Sequence, residues 1–277
     1  MAKVRLDILL YSRGLASSRE KARAYILAGQ VYVNGQKVDK PGTSVNEDAP
    51  VEIISNGRRF VSRGGLKLEK ALHDFRVDAR DKMVIDIGAS TGGYTDCVLQ
   101  AGARKVYAVD VGYGQLDWTL RNDPRVVNLE RTNIRYIEPA LIPDLADLIT
   151  IDVSFISLGL VFPKVKELLN ETGIVVCLVK PQFEAGKDRV GKKGVVREPR
   201  IHREVIMSCV NSASVAGLNC TGITYSPIKG PQGNIEYFLK LTAAESPLDN
   251  ISDIIEQVVE HAHLQLGGKG IEKSTAD

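Results

Sequence analysis

Five polar residues lie at or just beyond the ends of apolar runs that predict buried strands: Asp86, Asp110, Asn133, Asp152 and Lys180. The carboxyl ends of parallel strands meet at one edge of a sheet, and ligands bind beyond that edge. A single polar residue at a strand end is common, because the loop that follows is exposed to solvent, and does not indicate a site. Five at the same edge indicate one site that combines carboxylates, an amide and a lysine.

The loop after Asp86 is rich in glycine and precedes a predicted helix. It resembles the G-x-G-x-x-G loop of dinucleotide sites, which holds a pyrophosphate on backbone N–H groups. Ala89 replaces the second glycine, however, and the carboxylate of Asp86 would repel a pyrophosphate. A ligand with positive charge fits better, and S-adenosylmethionine carries both an ammonium and a sulfonium group. An NAD site and a purely structural glycine turn remain the alternatives.

A lysine and an acid at this edge could activate a methyl acceptor. Methyl transfer is an in-line displacement, so the acceptor must face the sulfonium, and a hydroxyl acceptor must lose its proton. Lys180 ends the apolar strand GIVVCLV and is a candidate base, while Asp152 can orient it. Asp110 ends the second strand and can accept both ribose hydroxyls of the donor. The alternative for Asp152 and Lys180 is an ion pair that only closes the sheet.

Strands and helices alternate from Lys82 onward. The runs KMVIDIG, RKVYAVDVG, DLITIDVSF and GIVVCLVKPQF are almost continuously apolar, with helical stretches between them. Apolar strands of this kind are buried on both faces, as in a parallel sheet covered by helices. The sequence therefore predicts an α/β fold, in which a Rossmann-like, S-adenosylmethionine-dependent methyltransferase domain with a mostly parallel sheet follows a small α+β domain.

The first 65 residues carry the positive excess of the chain. They hold 11 Lys and Arg against 6 Asp and Glu, while the remaining 212 residues hold 25 against 28. A capping box at Ser17 and Glu20 predicts a helix over about 18–28, one face of which is basic. Asn34 and Gly35, between alternating apolar residues, predict a β-hairpin. A basic face can neutralise RNA phosphates, although a solvated surface is the simpler alternative.

Composition excludes several classes of protein. The 277 residues are 44% apolar and 25% charged, which is typical of a folded chain of one or two domains. No apolar run approaches the ~18 residues needed to cross a bilayer, and a signal-peptide pattern is lacking. The four cysteines have no paired spacing, so we expect buried, reduced thiols rather than disulfides or a zinc site. We expect a cytoplasmic protein without a bound metal.

The order of a helix, a basic helix and an Asn-Gly hairpin resembles the S4 RNA-binding domain. Over residues 3–240 the chain resembles the hemolysin A-type (TlyA) family of ribosomal RNA 2′-O-methyltransferases, which join an S4 domain to an FtsJ-like methyltransferase domain. The segments that carry this resemblance are SRGGLKL, DIGASTGGYTD, VDVGYGQLDW, RNDPRVVNLERTN, IDVSFISL, LVKPQFEAGK and GPQGNIEYFL. The predicted organisation is an S4 domain over 1–58, a linker over 59–65, a methyltransferase domain over 66–247, and a C-terminal helix and tail over 248–277.

The resemblance also implies which residues act. The catalytic tetrad of the family, Lys–Asp–Lys–Glu, matches Lys67, Asp152, Lys180 and Glu236. Lys180 would deprotonate the 2′-hydroxyl of a cytidine in 23S rRNA, and in some members 16S rRNA, or hold its oxygen. Lys67 would bind the acceptor ribose or phosphate, and the two acids would orient the lysines. The residues expected to contact S-adenosylmethionine are Asp86, Gly88, Ala89, Ser90, Gly92, Gly93, Asp110, Asn133 and Asp152.

A second basic segment follows Lys180. Between Lys187 and Arg203 there are seven basic and two acidic residues, which predict an RNA-contacting flap, with a solvated loop as the alternative. The residues expected to bind RNA are Arg5, Arg13, Arg19, Lys21, Arg23, Lys187, Arg189, Lys192 and Lys193. Two other functions are alternatives: a non-catalytic RNA-binding factor, against which the intact tetrad argues, and a membrane-lysing protein, against which the lack of a long apolar segment argues.

Overall fold

The N-terminal domain packs two short helices against small antiparallel sheets. The computed structural model describes residues 3–53, 59–191 and 193–267. Its first elements are β1 (Lys3–Arg5), α1 (Leu6–Ser12), α2 (Arg19–Leu27), β2 (Val31–Val33), β3 (Gln36–Val38), β4 (Ser44–Asn46) and β5 (Val51–Ile53). β2 pairs with both β3 and β5, and β1 pairs with β4. Leu6, Leu10 and Ile26 form the centre of a separate apolar core.

The predicted hairpin is confirmed, whereas the predicted start of α2 is wrong by one residue. Asn34 and Gly35 join β2 to β3 with φ angles of 51° and 74°, as a type I′ turn requires. The N-cap of α2 is Ser18 rather than Ser17. Ser18 has an extended backbone, and its side chain accepts a hydrogen bond from the backbone N–H of Lys21 at 3.1 Å.

A seven-stranded sheet forms the centre of the larger domain. Its strands are β6 (Met83–Ile87), β7 (Lys105–Val109), β8 (Val126–Leu129), β9 (Ala146–Ile151), β10 (Leu169–Val179), β11 (Asn219–Tyr225) and β12 (Tyr237–Thr242). Their order across the sheet is β11-β12-β10-β9-β6-β7-β8. The strands from β10 to β8 run parallel, and β12 is antiparallel to both of its neighbours. This mostly parallel sheet confirms the predicted fold class.

Helices cover both faces of this sheet. They are α3 (Gly64–Asp74), α4 (Gly93–Gln100), α5 (Trp118–Arg121), α6 (Phe162–Leu168), α7 (Pro181–Glu184), α8 (Pro199–Val215) and α9 (Ile251–Leu266). One apolar cluster joins α3 and α4 to Val84 and Val106, and another joins α6, α8 and α9 to Ile85 and Tyr107. Successive strand residues face opposite sides, so strands that are covered on both sides form continuous apolar runs in the sequence.

Two features of this fold place side chains at the edge of the sheet where the parallel strands end. α3 begins at Gly64, within the segment 59–65 that the sequence predicts as a linker, and carries Lys67 to the edge. Because β12 runs opposite to β10, its first residue, Tyr237, pairs with the last residue of β10, Val179. Glu236 therefore lies at the edge where the parallel strands end.

The C-terminal helix is also present. α9 covers Ile251–Leu266 and packs on α8, while the predicted tail beyond it falls on residues 268–277, which lie outside the described residues. Across the described ranges, no helix is long and apolar enough to span a bilayer. The four cysteines are buried free thiols, and burial raises the pKa of Cys97 to about 12.

Candidate active site

Two adjoining cavities open at the carboxyl edge of the parallel strands. Their volumes are about 770 Å³ and 750 Å³, and Gly88, Ser90 and Asp152 line both. The strand-end cavity continues from these shared residues along the ends of β7 and β8. The linker cavity continues from them past Phe60–Gly64 to α3. A separate cavity of about 800 Å³ between α8 and α9 contains none of the predicted site residues.

Asp110 and Asn133 line the strand-end cavity, as the sequence predicts. The carboxylate of Asp110 accepts hydrogen bonds from the backbone N–H groups of Ser90 at 2.8 Å and Gly112 at 2.7 Å. These bonds tie the glycine-rich loop to the end of β7. A carboxylate has about four acceptor positions, so Asp110 retains acceptors for the hydroxyl groups of a ligand.

Gly88 lets the glycine-rich loop pass close to the end of β9. Its φ angle is +84°, and a Cβ at this position would lie 2.6 Å from the carbonyl oxygen of Asp152. The backbone N–H of Asp152 also donates to the carbonyl of Ile87 at 2.9 Å. Only glycine permits this approach, which brings the loop and Asp152 to the junction of the two cavities.

Lys180 and Asp152 form an ion pair at this junction. Lys180 Nζ lies 2.5 Å from Asp152 Oδ1 and donates a hydrogen bond to Ser154 Oγ at 2.9 Å. The approach to Asp152 Oδ1 is not aligned as a hydrogen bond, so the contact is electrostatic. The side chains of Lys180 and Asp152 are 11% and 21% exposed. Sequence reasoning found both members of the pair but missed Ser154.

Lys67 and Glu236 form a second pair beside the linker cavity. Lys67 Nζ donates to Glu236 Oε2 at 2.6 Å, and the two side chains are 9% and 1% exposed. Lys67 lines the cavity, and Glu236 supports it from behind. The structure thus brings the four residues of the predicted tetrad to one edge as two lysine–carboxylate pairs.

Two predicted ligand residues lie beneath the loop and line neither cavity. Asp86 is fully buried in β6, where its carboxylate accepts hydrogen bonds from Thr95 Oγ1 at 2.6 Å and Thr150 Oγ1 at 3.0 Å. Strand side chains alternate, and Asp86 shares the face that α4 covers, so it points under the helix instead of beyond the strand end. Gly92, with φ +94°, is the N-cap of α4.

The buried carboxyl of Asp86 should make stability depend on pH. Burial raises the pKa of Asp86 to about 7, from an ordinary value of 3.8. Between these values the folded protein holds one proton more than the unfolded chain. The stability from this group is therefore complete below about pH 4 and is lost by about pH 7, at about 1.4 kcal/mol per pH unit.

Asp86→Asn, which cannot ionise, should remove this slope. Urea unfolding of both proteins between pH 4.5 and 8 measures it. Parallel stability curves would show that Asp86 titrates at its ordinary pKa.

The predicted RNA-binding arginines of the N-terminal domain make contacts within the protein. Arg5 forms two hydrogen bonds of 3.0 Å with the buried carboxylate of Asp7, and Arg19 lies 3.5 Å from the same group. Arg13 donates to the carbonyl of Ala49 at 2.7 Å. Arg5 and Arg19 remain about half exposed, so Asp7 orients them without covering them.

The basic face of α2 lies beside the edge of the sheet where the parallel strands end. Lys21 and Arg23 are exposed, and Lys21 lines the linker cavity together with Lys67. Tyr25 of the same helix donates to Asp117 of the larger domain at 3.2 Å. In the second basic segment, the Arg189 side chain pairs with Glu204 and Lys193 is exposed, while the Lys187 side chain and the whole of Lys192 lie outside the described residues.

Exposed aromatic residues lie in or next to segments that line the strand-end cavity, and sequence reasoning missed them. Phe155, Tyr136 and Tyr113 are 89%, 74% and 68% exposed. Arg131 lies 4.1 Å from the ring centroid of Tyr113, and Arg135 lies 5.0 Å from that of Tyr136. Exposed aromatic rings next to arginines suit stacking with unpaired nucleobases. The sequence does contain a pattern that could have predicted them, because arginines alternate with aromatic residues just after the strand ends.

The fold and the site together define a Rossmann-like methyltransferase with an added N-terminal domain. The family described as FtsJ-like methyltransferase matches residues 60–243, and the S4 domain matches residues 4–51. The chain belongs to the FtsJ-like methyltransferase family and carries an S4 domain at its N-terminus.

Similar proteins cover nearly the whole chain. YqxC of Bacillus subtilis is 50% identical over 271 residues, which are 96% of each chain. The 16S/23S rRNA (cytidine-2′-O)-methyltransferase TlyA of Mycobacterium tuberculosis is 44% identical over 240 residues, 86% of this chain and 90% of that protein. A solved structure from Streptococcus thermophilus is 45% identical and matches with a TM-score of 0.73 over 96% of this chain and 98% of that chain. The resemblance to the hemolysin A-type (TlyA) family is confirmed.

Proposed function

We propose that this protein transfers the methyl group of S-adenosylmethionine to the ribose 2′-hydroxyl of a cytidine in ribosomal RNA. The observation that carries the proposal is the pairing of Lys180 with Asp152 where the two cavities meet, together with the pairing of Lys67 with Glu236 beside the linker cavity. Partly and fully buried ion pairs add little net stability, because desolvation offsets their attraction. A protein that only binds RNA needs neither pair, whereas two fixed ammonium groups suit the activation of a hydroxyl.

The two cavities fit the two ends of S-adenosylmethionine. Asp110 would accept the ribose hydroxyls, and Asn133, which lines the same cavity, would contact the adenine. Tyr94 lines the linker cavity, is 3% exposed, and its hydroxyl has no hydrogen-bond partner among the described residues. Such a group costs about 1–3 kcal/mol, so it favours a ligand with a polar end. When bound, S-adenosylmethionine supplies a methyl group on a cationic sulfur.

Binding measurements can distinguish S-adenosylmethionine from NAD, the main alternative ligand of the glycine-rich loop. Calorimetric titration should show binding of S-adenosylmethionine and no binding of NAD, because Ala89 replaces the glycine that lets the loop backbone approach a pyrophosphate. Binding of NAD alone would overturn the donor assignment.

The two lysines would act on different parts of the acceptor nucleotide. Lys180 would take the proton of the 2′-hydroxyl or hold its oxygen as the proton leaves, and Asp152 and Ser154 would fix the direction of the amine. Lys67, kept in place by Glu236, would hold the ribose or its phosphate. Holding the oxygen in line with the carbon–sulfur bond removes much of the entropic part of the barrier.

Several observations support ribosomal RNA as the acceptor. The S4 domain places Lys21 in the lining of the linker cavity and carries the exposed Arg23 on the same helix, and the exposed aromatic residues offer surfaces on which an unpaired base can stack. The relative from Mycobacterium tuberculosis bears the name of a 16S/23S rRNA (cytidine-2′-O)-methyltransferase. Because ribosomal RNA is the proposed substrate, we propose that the protein acts in the cytoplasm.

Product analysis tests the proposal. The purified protein is incubated with ribosomal RNA and S-adenosylmethionine labelled in the methyl group, and the RNA is digested to nucleosides. Label in 2′-O-methylcytidine is expected. Label in a base-methylated nucleoside, or none in RNA from a strain that lacks the protein, would overturn the proposal.

The basic face of α2 should contribute electrostatic affinity for RNA. Replacing both Lys21 and Arg23 with alanine should weaken binding and lower the slope of log K against log salt by about 1–2, because each phosphate contact releases counterions. Lys164→Ala with Lys166→Ala removes the same charge from α6, away from both cavities, and serves as the control. Equal slopes for the two double variants would refute the role of α2.

A further inference from the structure

The basic segment after α7 is attached to the protein core at Val196. Val196 is 3% exposed, donates its N–H to Asn234 Oδ1 at 2.9 Å, and accepts a hydrogen bond from His202 Nε2 at 3.0 Å. Asn234 Nδ2 also donates to the carbonyl of Gly194 at 2.8 Å. Asn234 and His202 are 1% and 0% exposed and line neither active-site cavity. We call these two side chains the clamp.

His202 holds the tautomer that the clamp requires. Its Nδ1 lies 2.8 Å from the hydroxyl of Tyr237, which can donate to it. A backbone carbonyl only accepts hydrogen bonds, so the proton of the neutral ring belongs on Nε2, facing Val196. Burial lowers the pKa of His202 to about 4, so the ring stays neutral near pH 7.

The clamp joins the basic segment to the catalytic edge. Asn234 stands two residues before Glu236, and Tyr237 follows Glu236 directly. On the other side of the clamp, the chain forms a turn in which the N–H of Gly194 donates to the carbonyl of Gly191 at 2.8 Å. The clamp therefore sets the position of the exposed Lys193 relative to the Lys67–Glu236 pair.

We propose that Asn234 and His202 are positioning residues that hold residues 193–197 as a phosphate-binding element for the acceptor RNA. The inference rests on the proposed function and adds the element that would grip the RNA backbone beside the site. Lys193 and Arg197 are the exposed cations of this element. Cations on a fixed backbone lose less conformational freedom on binding than cations on a free loop, so the clamp raises affinity without touching RNA.

Asn234→Asp tests the clamp by replacing one heavy atom, the amide nitrogen Nδ2, with an oxygen. The variant keeps an acceptor for the N–H of Val196 but puts an oxygen in place of the donor to Gly194. Tryptic cleavage after Lys193 should become about ten-fold faster, and the Kd for an rRNA fragment should rise about ten-fold, as loss of one buried, charge-altered contact implies. The Kd for S-adenosylmethionine should stay within about two-fold.

Asn219→Asp is the matched control. Asn219 also donates to a backbone carbonyl, that of Glu245 at 2.9 Å, but lies away from both cavities. A second variant, Lys193→Ala with Arg197→Ala, leaves the clamp intact and should weaken RNA binding as much as Asn234→Asp does.

Each result bears on a different part of the proposal: the clamp, the phosphate-binding role or the proposed function. Cleavage of Asn234→Asp at the wild-type rate would overturn the clamp. Faster cleavage with unchanged RNA affinity, or full affinity of the double variant, would overturn the phosphate-binding role. Failure of the wild-type protein to bind rRNA would defeat the proposed function, while the cleavage rates would still decide the clamp.

Discussion

Replacing Lys180 with alanine should reduce the rate of methyl transfer by about 10²–10⁴-fold, the usual contribution of a positioned acid or base. Lys180 lies 2.5 Å from Asp152 Oδ1 at the junction of the cavities but lines neither of them. Affinity for S-adenosylmethionine should therefore change by less than about three-fold. Single-turnover methylation of rRNA and calorimetric titration of the donor measure the two effects.

Lys180→Arg separates the two roles open to the amine. Arginine keeps the positive charge but does not give up its proton near neutral pH. If Lys180 removes the proton of the hydroxyl, the arginine variant should be as slow as the alanine variant. If Lys180 only holds the oxygen, the arginine variant should keep part of the activity. A fully active Lys180→Ala protein would end the role of this residue.

Replacing Glu236 with alanine should lower the free energy of unfolding by about 3–5 kcal/mol, because it leaves a buried ammonium without its partner. Lys67 is 9% exposed, and its Nζ donates to Glu236 Oε2 at 2.6 Å. Methyl transfer should fall as well, since Lys67 would no longer be held toward the acceptor. Urea unfolding and single-turnover methylation measure the two losses.

A double variant tests whether the loss of stability comes from the unpaired ammonium of Lys67. Lys67→Met with Glu236→Leu replaces both charged groups with apolar side chains of similar size, so it should recover most of the lost stability. It should remain inactive because the ammonium is gone. If the free energy of unfolding of Glu236→Ala lies within about 1 kcal/mol of the wild-type value, the ammonium of Lys67 must reach water once its partner is removed. The Lys67–Glu236 pair would then behave as a surface ion pair and not as a buried one.

The sheet and half of the site follow from local patterns in the sequence. Apolar runs ended by Asp110, Asp152 and Lys180 predict parallel strands whose ends meet, and the structure brings these residues to one edge. The hairpin at Asn34 was equally predictable, because positive φ at two successive residues favours Asn-Gly.

The other half of the site depends on contacts that no local pattern contains. Lys67 and Glu236 are separated by 169 positions and meet only because β12 runs antiparallel to β10. Their assignment came from the resemblance to a family, not from spacing. Asp86 stands near a strand end in the sequence, but the alternation of strand side chains turns it under α4.

A structure of the protein with S-adenosylhomocysteine and the acceptor RNA would show directly whether Lys180 meets the 2′-hydroxyl of the target nucleotide. We expect Lys180 Nζ to lie within about 3.2 Å of the 2′-oxygen of the target cytidine, with Asp152 beside it. A bound nucleotide whose 2′-oxygen lies far from Lys180, with a base atom facing the sulfur instead, would contradict it.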